Sequence, residues 1–323
     1  MRYLSLLLIA STLYSNNQIP GNEQKRPILL RGGTLHTVSG DILKEHDLLF
    51  AEGKIITIDE QIQPSPDTDI YEIYGKHVVP GYVAGYTRIG LTEISAVKQT
   101  NDHSEIGDIN PNVRANVAYN PDSDLIPVTR SNGILTVNSA PSSGRISGQS
   151  SVMLLDGWTW EDATLKHPAA LNINWPYMYV NYDKNRKKND KIQKDEYKQQ
   201  VRDLNQLIQN VRAYHKRRSA KERKAEHKQK TDLRLESMIP FVIYKEPIHV
   251  KADDIRQIEA AVKWANEQDL NIIIVGGRDS WINPKILVEN NQNIDVAISL
   301  TAEKNEVIKR LIKRSKDSGR SDD

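Results

Sequence analysis

The sequence predicts an α/β protein, with a small β-rich unit followed by units that alternate strand and helix. Between residues 27 and 79, short apolar runs alternate with Gly, Pro and Asp turn signals, a pattern typical of a small antiparallel β unit. From residue 80 onward, apolar runs alternate with longer segments of helical periodicity, and this order favours parallel strands joined by helices.

Both parts contain local patterns that predict individual strands, turns and helices. In the first part, residues 47–51 and 54–58 flank Glu52-Gly53, a pair typical of a hairpin turn. In the second part, residues 252–269 place apolar side chains at helical spacing. The expected strands of the second part are the apolar runs 133–137, 152–155, 239–243, 248–250 and 271–277.

Composition excludes several classes of protein. The chain has 323 residues, a formal net charge of +2 and no cysteine, which excludes a disulfide scaffold, a Cys-ligated metal site and a Cys nucleophile. A mean hydropathy of −0.58 excludes a multi-span membrane protein.

The basic residues are concentrated in one segment. Residues 184–230 contain 17 Lys or Arg and 6 Asp or Glu, and the segment from Asp195 to Lys230 has helical periodicity. Such a block could bind nucleic acid or anionic lipid, but no aromatic residues alternate with the charges as stacking would require. We therefore expect a solvated helix face and no nucleic-acid partner.

The N-terminus resembles a secretory signal. Met1-Arg2 precedes an apolar run at residues 3–10, which is shorter than the roughly 20 residues needed to cross a bilayer. We expect residues 1–20 to be a signal peptide, so that the mature chain is secreted or periplasmic and has no membrane contact. The alternative is a buried N-terminal strand.

Several short sequence motifs, which occur in the same order as in that family, resemble the amidohydrolase superfamily and within it the secreted imidazolonepropionase-like branch. The resemblance covers about residues 27–288. The first motif is Gly75-Lys76-His77-Val78-Val79-Pro80-Gly81-Tyr82-Val83. The others are Asn101-Asp102 with Asn110-Pro111, Asn120-Pro121-Asp122-Ser123, Ile126-Pro127-Val128, Ser147-Gly148-Gln149-Ser150 and Leu155-Asp156-Gly157-Trp158-Thr159-Trp160-Glu161-Asp162.

The resemblance implies a small β-sandwich plus an incomplete (β/α)8 TIM-type barrel. Residues 27–79 would supply part of the sandwich, and residues 80–290 the partial barrel. In this family one or two zinc or other divalent ions lie at the carboxyl ends of the barrel strands. The metal activates a bound water for hydrolysis of a C–N bond.

The metal-ligand positions that the resemblance implies carry other residues here. The His-x-His pair falls on Tyr86 and Arg88, and the later histidines fall on Lys251 and on Gly277 or its neighbour Gly276. A guanidinium cannot ligate a cation. We therefore expect a degenerate site with no bound metal or other cofactor and no catalytic residue.

Two other histidines are weaker candidates for metal ligands. His249 precedes Lys251 by two residues and so projects to the same side of a strand. A buried, hydrogen-bonded role is the alternative. His103 lies near Asp102 and Glu105 and could join a carboxylate–imidazole cluster, although close spacing on one loop is equally typical of a plain surface loop.

Residues 291–323 resemble a strand, a helix and the start of the Arg-rich lid of adenylate kinase. Arg314 and Arg320 match arginines that contact phosphate in that family and are interpreted as vestigial phosphate-binding residues. The chain lacks a Gly-x-x-x-x-Gly-Lys loop, so kinase activity is not expected. An ordinary basic helix with a disordered end is the alternative.

Together these observations predict an amidohydrolase-superfamily protein that is catalytically degenerate or truncated. The alternative is an active hydrolase of cyclic amides or peptide-like C–N bonds that uses ligands not identified in the sequence. A small-molecule ligand in the barrel remnant is the expected partner. Open strand edges predict self-association.

Overall fold

The computed structural model describes residues 20–21, 23–178, 190–224 and 230–289. The chain has a mixed α/β fold, which confirms the predicted class. The signal peptide predicted at residues 1–20 falls almost entirely outside the described residues. The tail predicted at 291–323, with Arg314 and Arg320, lies wholly outside them.

The fold divides into two compact units whose segments interleave along the sequence. The first unit comprises the chain up to Ser95 together with residues 119–139 and 152–165. The second comprises residues 96–118, residues 140–151 and the chain from Lys166 onward.

A five-stranded sheet forms the N-terminal part of the first unit. Its strands are β1 (Ile28–His36), β2 (Ile42–Ala51), β3 (Lys54–Asp59), β4 (Asp69–Glu72) and β5 (His77–Val78). Their order is β3-β2-β1-β4, with β5 also paired to β1. Strands β1, β2 and β3 are antiparallel, and Glu52 and Gly53 form the turn between β2 and β3 with positive φ angles.

The sheet differs from the antiparallel unit predicted for residues 27–79. Strands β4 and β5 run parallel to β1. The loop between β3 and β4 carries the chain from one edge of the sheet to the opposite edge, where β4 begins. Asp47 holds this arrangement from the inside. Its buried carboxylate accepts hydrogen bonds from the backbone N–H groups of Gly32 at 2.9 Å and Ile62 at 3.0 Å.

The rest of the first unit is a strand–helix–strand unit. Strand β6 (Tyr82–Thr87) pairs in parallel with β7 (Ile134–Ser139), and helix α1 (Leu125–Ser131) lies between them in the sequence. The start of helix α2 (Trp160–Ala163) is fixed by a capping box between Thr159 and Asp162. The buried core consists of Tyr119, Ile126, Val137, Met153, Leu155 and Ala163.

The second unit contains the strand order β11-β10-β9-β8. These strands are β8 (Ile146–Leu154, whose last three residues belong to the first unit), β9 (Thr164–Asn174, whose first two residues belong to the first unit), β10 (Ile248–Ala252) and β11 (Ile272–Gly276). Strands β9, β10 and β11 are parallel. Their helices are α3 (Asp190–Lys224), α4 (Leu233–Val242), α5 (Ile255–Gln268) and α6 (Lys285–Glu289).

Two features of this unit differ from the sequence prediction. The apolar run at 239–243 was expected to be a strand, but it forms the end of helix α4, where Met238 and Phe241 are fully buried. A short apolar run is compatible with either a buried strand or a buried helix, so its periodicity does not decide. Strand β8 runs antiparallel to β9, since residue 150 contacts residue 170 while residue 148 contacts residue 172.

Residues 190–224 form helix α3, which confirms the helix predicted for the basic segment over the residues described. One face packs into the core through Leu204, Ile208, Val211 and Tyr214, all of them buried, while most of its charged side chains are exposed. Trp264 of α5 donates a hydrogen bond to Asn205 of α3 at 2.8 Å. Within the described ranges, no helix is both long enough and apolar enough to cross a bilayer.

Candidate functional site

The carboxyl ends of β9, β10 and β11 lie side by side in the second unit. The strand register places Lys251 beside Asn174 on β9 and beside Val275 on β11. Lys251 is exposed, and the amide of Asn174 donates hydrogen bonds to the carbonyl oxygen of Gly144 at 2.6 Å and to Ser147 Oγ at 3.0 Å. This strand end therefore presents an ammonium group beside an immobilised amide.

His249 lies two residues before Lys251 and on the same side of β10, as the sequence predicts. It is buried, and its Nδ1 lies 3.2 Å from Oδ1 of Asn172, its register partner on β9. The amide nitrogen of Asn172 donates to the carbonyl oxygen of Gly148, so its oxygen accepts from His249. Burial lowers the pKa of His249 to about 4, so the ring is neutral at pH 7.

The loop after β11 contains the last ligand position that the resemblance implies. Gly276 and Gly277 both have positive φ angles, and the N–H of Gly277 donates to the carbonyl oxygen of Ala252 at 2.8 Å. A Cβ atom on Gly276 would lie 2.3 Å from a carboxylate oxygen of Asp253. The tight turn therefore has a steric reason for glycine, and it offers no side chain to a ligand.

The first ligand positions lie at the end of β6 in the first unit. Tyr86 is half-buried, and burial raises the pKa of its phenol above the ordinary value, with the positive charge of Arg88 opposing the shift. The phenol is therefore protonated at neutral pH. Arg88 follows the end of the strand and is exposed. These two positions supply a neutral phenol and a cation.

His103 lies on a loop of the second unit that is held through its backbone. Its carbonyl oxygen accepts from the N–H of Ser142 at 2.9 Å, and the N–H of Glu105 donates to Ser143 Oγ at 2.9 Å. Asp102 and Glu105 are exposed. Across residues 20–21, 23–178, 190–224 and 230–289, no three His, Cys, Asp or Glu side chains form a group that could hold a metal ion.

Sequence reasoning missed a polar chain formed by Arg114, His167 and Ser151. The guanidinium of Arg114 donates from Nε to Nε2 of His167 at 3.0 Å, and Nδ1 of His167 lies 2.8 Å from Ser151 Oγ. Burial first, and the charge of Arg114 second, lower the pKa of His167 to about 4. His167 is 53 positions from Arg114 and 16 from Ser151 in the sequence, so no local sequence pattern predicts these contacts.

The tautomer of His167 decides whether Arg114, His167 and Ser151 could act as a catalytic group. Because Nε2 accepts from an arginine, the proton of the neutral ring lies on Nδ1 and is donated to Ser151. A serine nucleophile requires the opposite arrangement, in which the imidazole accepts the hydroxyl proton. The buried Ser151 also accepts from the N–H of Asn116 at 3.2 Å. This geometry is that of a structural contact rather than of a catalytic pair.

Comparison with solved structures places the fold among the amidohydrolases. The chain is similar to an amidohydrolase from Thermotoga maritima MSB8, with a TM-score of 0.72 and 24% identity over 88% of this chain and 76% of that one. This likeness confirms an amidohydrolase-type fold. No protein-family model matches the chain, and no curated protein matches it in sequence.

Two more distant structures were also found. One is a prolidase solved with N-methylphosphonate-L-proline, with a TM-score of 0.36 and 11% identity over 86% of this chain and 79% of that one. The other is a β-aspartyl dipeptidase from Fervidobacterium islandicum AW-1, with a TM-score of 0.32 and 9% identity over 93% of this chain and 84% of that one.

Proposed function

We propose that the chain is an amidohydrolase-superfamily protein of the imidazolonepropionase-like branch that binds a small molecule and has lost metal-dependent C–N hydrolysis. The proposal includes an incomplete TIM-type barrel as its architecture. The observation that carries it is the combination of an amidohydrolase-type fold with the residues Tyr86, Arg88, Lys251 and Gly277 at the expected ligand positions.

Those four residues do not fit a divalent cation. Zinc in proteins is held by imidazole, thiolate and carboxylate groups. Here the corresponding groups are a protonated phenol, a guanidinium, an ammonium and no side chain at all. Two of the four are positively charged and would repel the ion, so no step of a hydrolytic mechanism runs through a metal at these positions.

The charge at one of these positions suits an anionic ligand. Lys251 is exposed at the carboxyl end of β10, beside Asn174 of β9. An ammonium group binds carboxylate or phosphate as a point charge. We therefore infer that the ligand is a small molecule with an anionic group, and that its binding weakens as salt increases.

The proposal also covers the location of the protein and its relation to nucleic acid. The apolar run at residues 3–10 supports a signal peptide and a secreted or periplasmic location. The solvated charges of helix α3 support a protein that does not act on nucleic acid.

Metal analysis combined with an activity assay tests the proposal. Purified protein that is exposed to zinc and then dialysed against zinc-free buffer should retain well under one equivalent of zinc by plasma mass spectrometry, and it should not hydrolyse a panel of cyclic amides and dipeptides. Stoichiometric zinc that is lost in His249→Ala or His103→Ala, together with hydrolysis, would overturn the proposal in favour of an active enzyme.

A further inference from the structure

Two histidines of the N-terminal sheet face each other at the end of β1 and in β5. Nε2 of His36 lies 2.8 Å from Nδ1 of His77, and the ring centroids are 5.1 Å apart. The ring planes meet at 39°, so the contact joins nitrogen to nitrogen rather than stacking one face on the other. His36 is half-buried and His77 is exposed.

The backbone of the sheet fixes this contact. Strands β1 and β5 pair in parallel, with Thr34 beside His77 and Leu35 beside Val78. The N–H of Thr34 donates to the carbonyl oxygen of Lys76 at 2.9 Å, and Leu35 is buried. The two imidazoles are therefore held together by strand pairing and do not depend on the flexibility of a loop.

The chemistry of the pair suits a transition metal. A hydrogen bond between two imidazoles requires one nitrogen without a proton, and such a nitrogen is a metal ligand. Zinc–nitrogen bonds of about 2.0–2.1 Å in tetrahedral geometry place two ligand nitrogens roughly 3.3 Å apart. Opening the observed 2.8 Å contact by about half an ångström would admit the ion, a shift within the range of side-chain rotation.

We propose that His36 and His77 form a two-imidazole site for a borderline divalent ion such as Zn²⁺, Ni²⁺ or Cu²⁺, with water completing the coordination. The metal would replace the hydrogen bond between the rings and tie β5 to β1. In the part of the chain that the structure describes, no third side chain makes up a larger metal-binding group. Nitrogen ligands also select against Mg²⁺ and Ca²⁺, which take oxygen ligands.

This site is independent of the proposed function, because neither histidine belongs to the ligand positions of the amidohydrolase resemblance. It also makes a different prediction for metal content. Dialysis would strip an ion held by two ligands, whereas titration with excess ion would detect it. A chain that fails to bind Ni²⁺ at His36 and His77 would leave the proposed function unaffected.

Calorimetric titration of the full chain with Ni²⁺ at pH 7.5 tests the site. We expect one binding event that weakens at least tenfold in His36→Gln and in His77→Gln, because glutamine keeps hydrogen-bonding ability but lacks the imidazole. His46→Gln is the matched control, since His46 lies in the same sheet and contacts the carbonyl oxygen of its strand neighbour Lys44 at 2.7 Å. This variant should bind Ni²⁺ as the unaltered chain does.

Electron paramagnetic resonance of the Cu²⁺-loaded chain provides a second measurement. Two imidazole nitrogens on one copper should appear as hyperfine structure that is lost in either variant. Affinity for Ni²⁺ that is unchanged in both variants, or a copper spectrum with fewer than two nitrogen ligands, would overturn the proposal. Circular dichroism of each variant separates loss of the site from loss of the fold.

Discussion

Buried histidines make the folded chain sensitive to acid. The folded pKa of His249 is about 4, because burial disfavours the charged ring, while the unfolded chain takes up this proton near pH 6.5. The contribution of His249 is fully present above pH 6.5 and is lost as pH falls toward 4. We expect the free energy of unfolding, measured with urea, to fall by about 2 kcal/mol between pH 7 and pH 4.5 from this residue.

A matched variant isolates this contribution. His249→Gln keeps a hydrogen-bond donor for Asn172 but removes the titrating ring, so the loss of stability between pH 7 and pH 4.5 should be smaller. His46→Gln, at a half-buried histidine of the N-terminal sheet, serves as the control for the chemical change from histidine to glutamine. A His249→Gln protein with the same pH dependence as the unaltered chain would contradict the assignment.

Restoring the first two imidazoles should not restore a metal centre. In the double variant Tyr86→His and Arg88→His, Lys251 still adds a positive charge and Gly277 still supplies no ligand. After dialysis against zinc-free buffer, we expect well under one equivalent of zinc by mass spectrometry and no amide hydrolysis. Stoichiometric zinc in this double variant would show that the remaining ligands come from residues that the sequence comparison passed over.

At the residue scale, the sequence is informative where the type of one side chain decides whether it can bind a metal ion. A guanidinium at position 88 is visible without any structure. The contacts between His36 and His77, and between Arg114 and His167, are not visible, because strand register and loop packing bring together residues 41 and 53 positions apart. Such pairs leave no periodic pattern in the sequence.

At the element scale, helix α5 was predictable because its period and its cap agree. Asp254 accepts from the N–H of Arg256 at 2.9 Å, and Gln257 reaches back to the N–H of Asp254 at 3.3 Å. Replacing Asp254→Ala removes the cap and should lower the free energy of unfolding by about 1 kcal/mol in urea titrations. Asp254→Asn keeps an acceptor and should retain most of that stability, and equal losses in both variants would contradict the capping role.

Other elements were less predictable, since their order depends on the path of the chain. A short apolar run such as 239–243 fits a strand and a buried helix equally, and the core around Phe241 decides for the helix. The apolar run at 70–73 predicts a strand, which is β4, but the sequence does not reveal that β4 and β5 lie parallel to β1. Local patterns specify elements, whereas loops and packing specify their direction.

The tail at 291–323 allows a prediction at the same scale. Arg314 and Arg320 without a phosphate-binding loop offer only a salt-screened attraction to ATP. We expect a dissociation constant no tighter than roughly millimolar, which corresponds to about 4 kcal/mol. Calorimetry showing micromolar affinity that disappears in Arg314→Ala or Arg320→Ala would instead identify a functional nucleotide site.

For the whole molecule, we expect self-association through open strand edges. In the N-terminal sheet, β3 lies at one end of the strand order and exposes Ile55 and Ile56 at 64% and 60% of their surface. Edge strands with apolar side chains readily pair with other chains. Light scattering should show a mass that grows with protein concentration.

A pair of substitutions tests whether the edge is responsible. Ile56→Lys places a charge on the edge strand and should reduce association, since lysine at edges blocks strand pairing. Ile106→Lys changes an even more exposed isoleucine on a loop of the second unit and should leave association unchanged. A single monomeric mass at all concentrations in the unaltered chain would contradict the prediction.

The interleaving of the two units constrains how this protein can change over generations. The chain passes from one unit to the other after residues 95, 118, 139, 151 and 165. A single genetic crossover therefore cannot exchange either unit intact with a relative, because the donor segment would carry fragments of both. Exchange of one whole unit would need several crossovers within the gene, one at each of these boundaries.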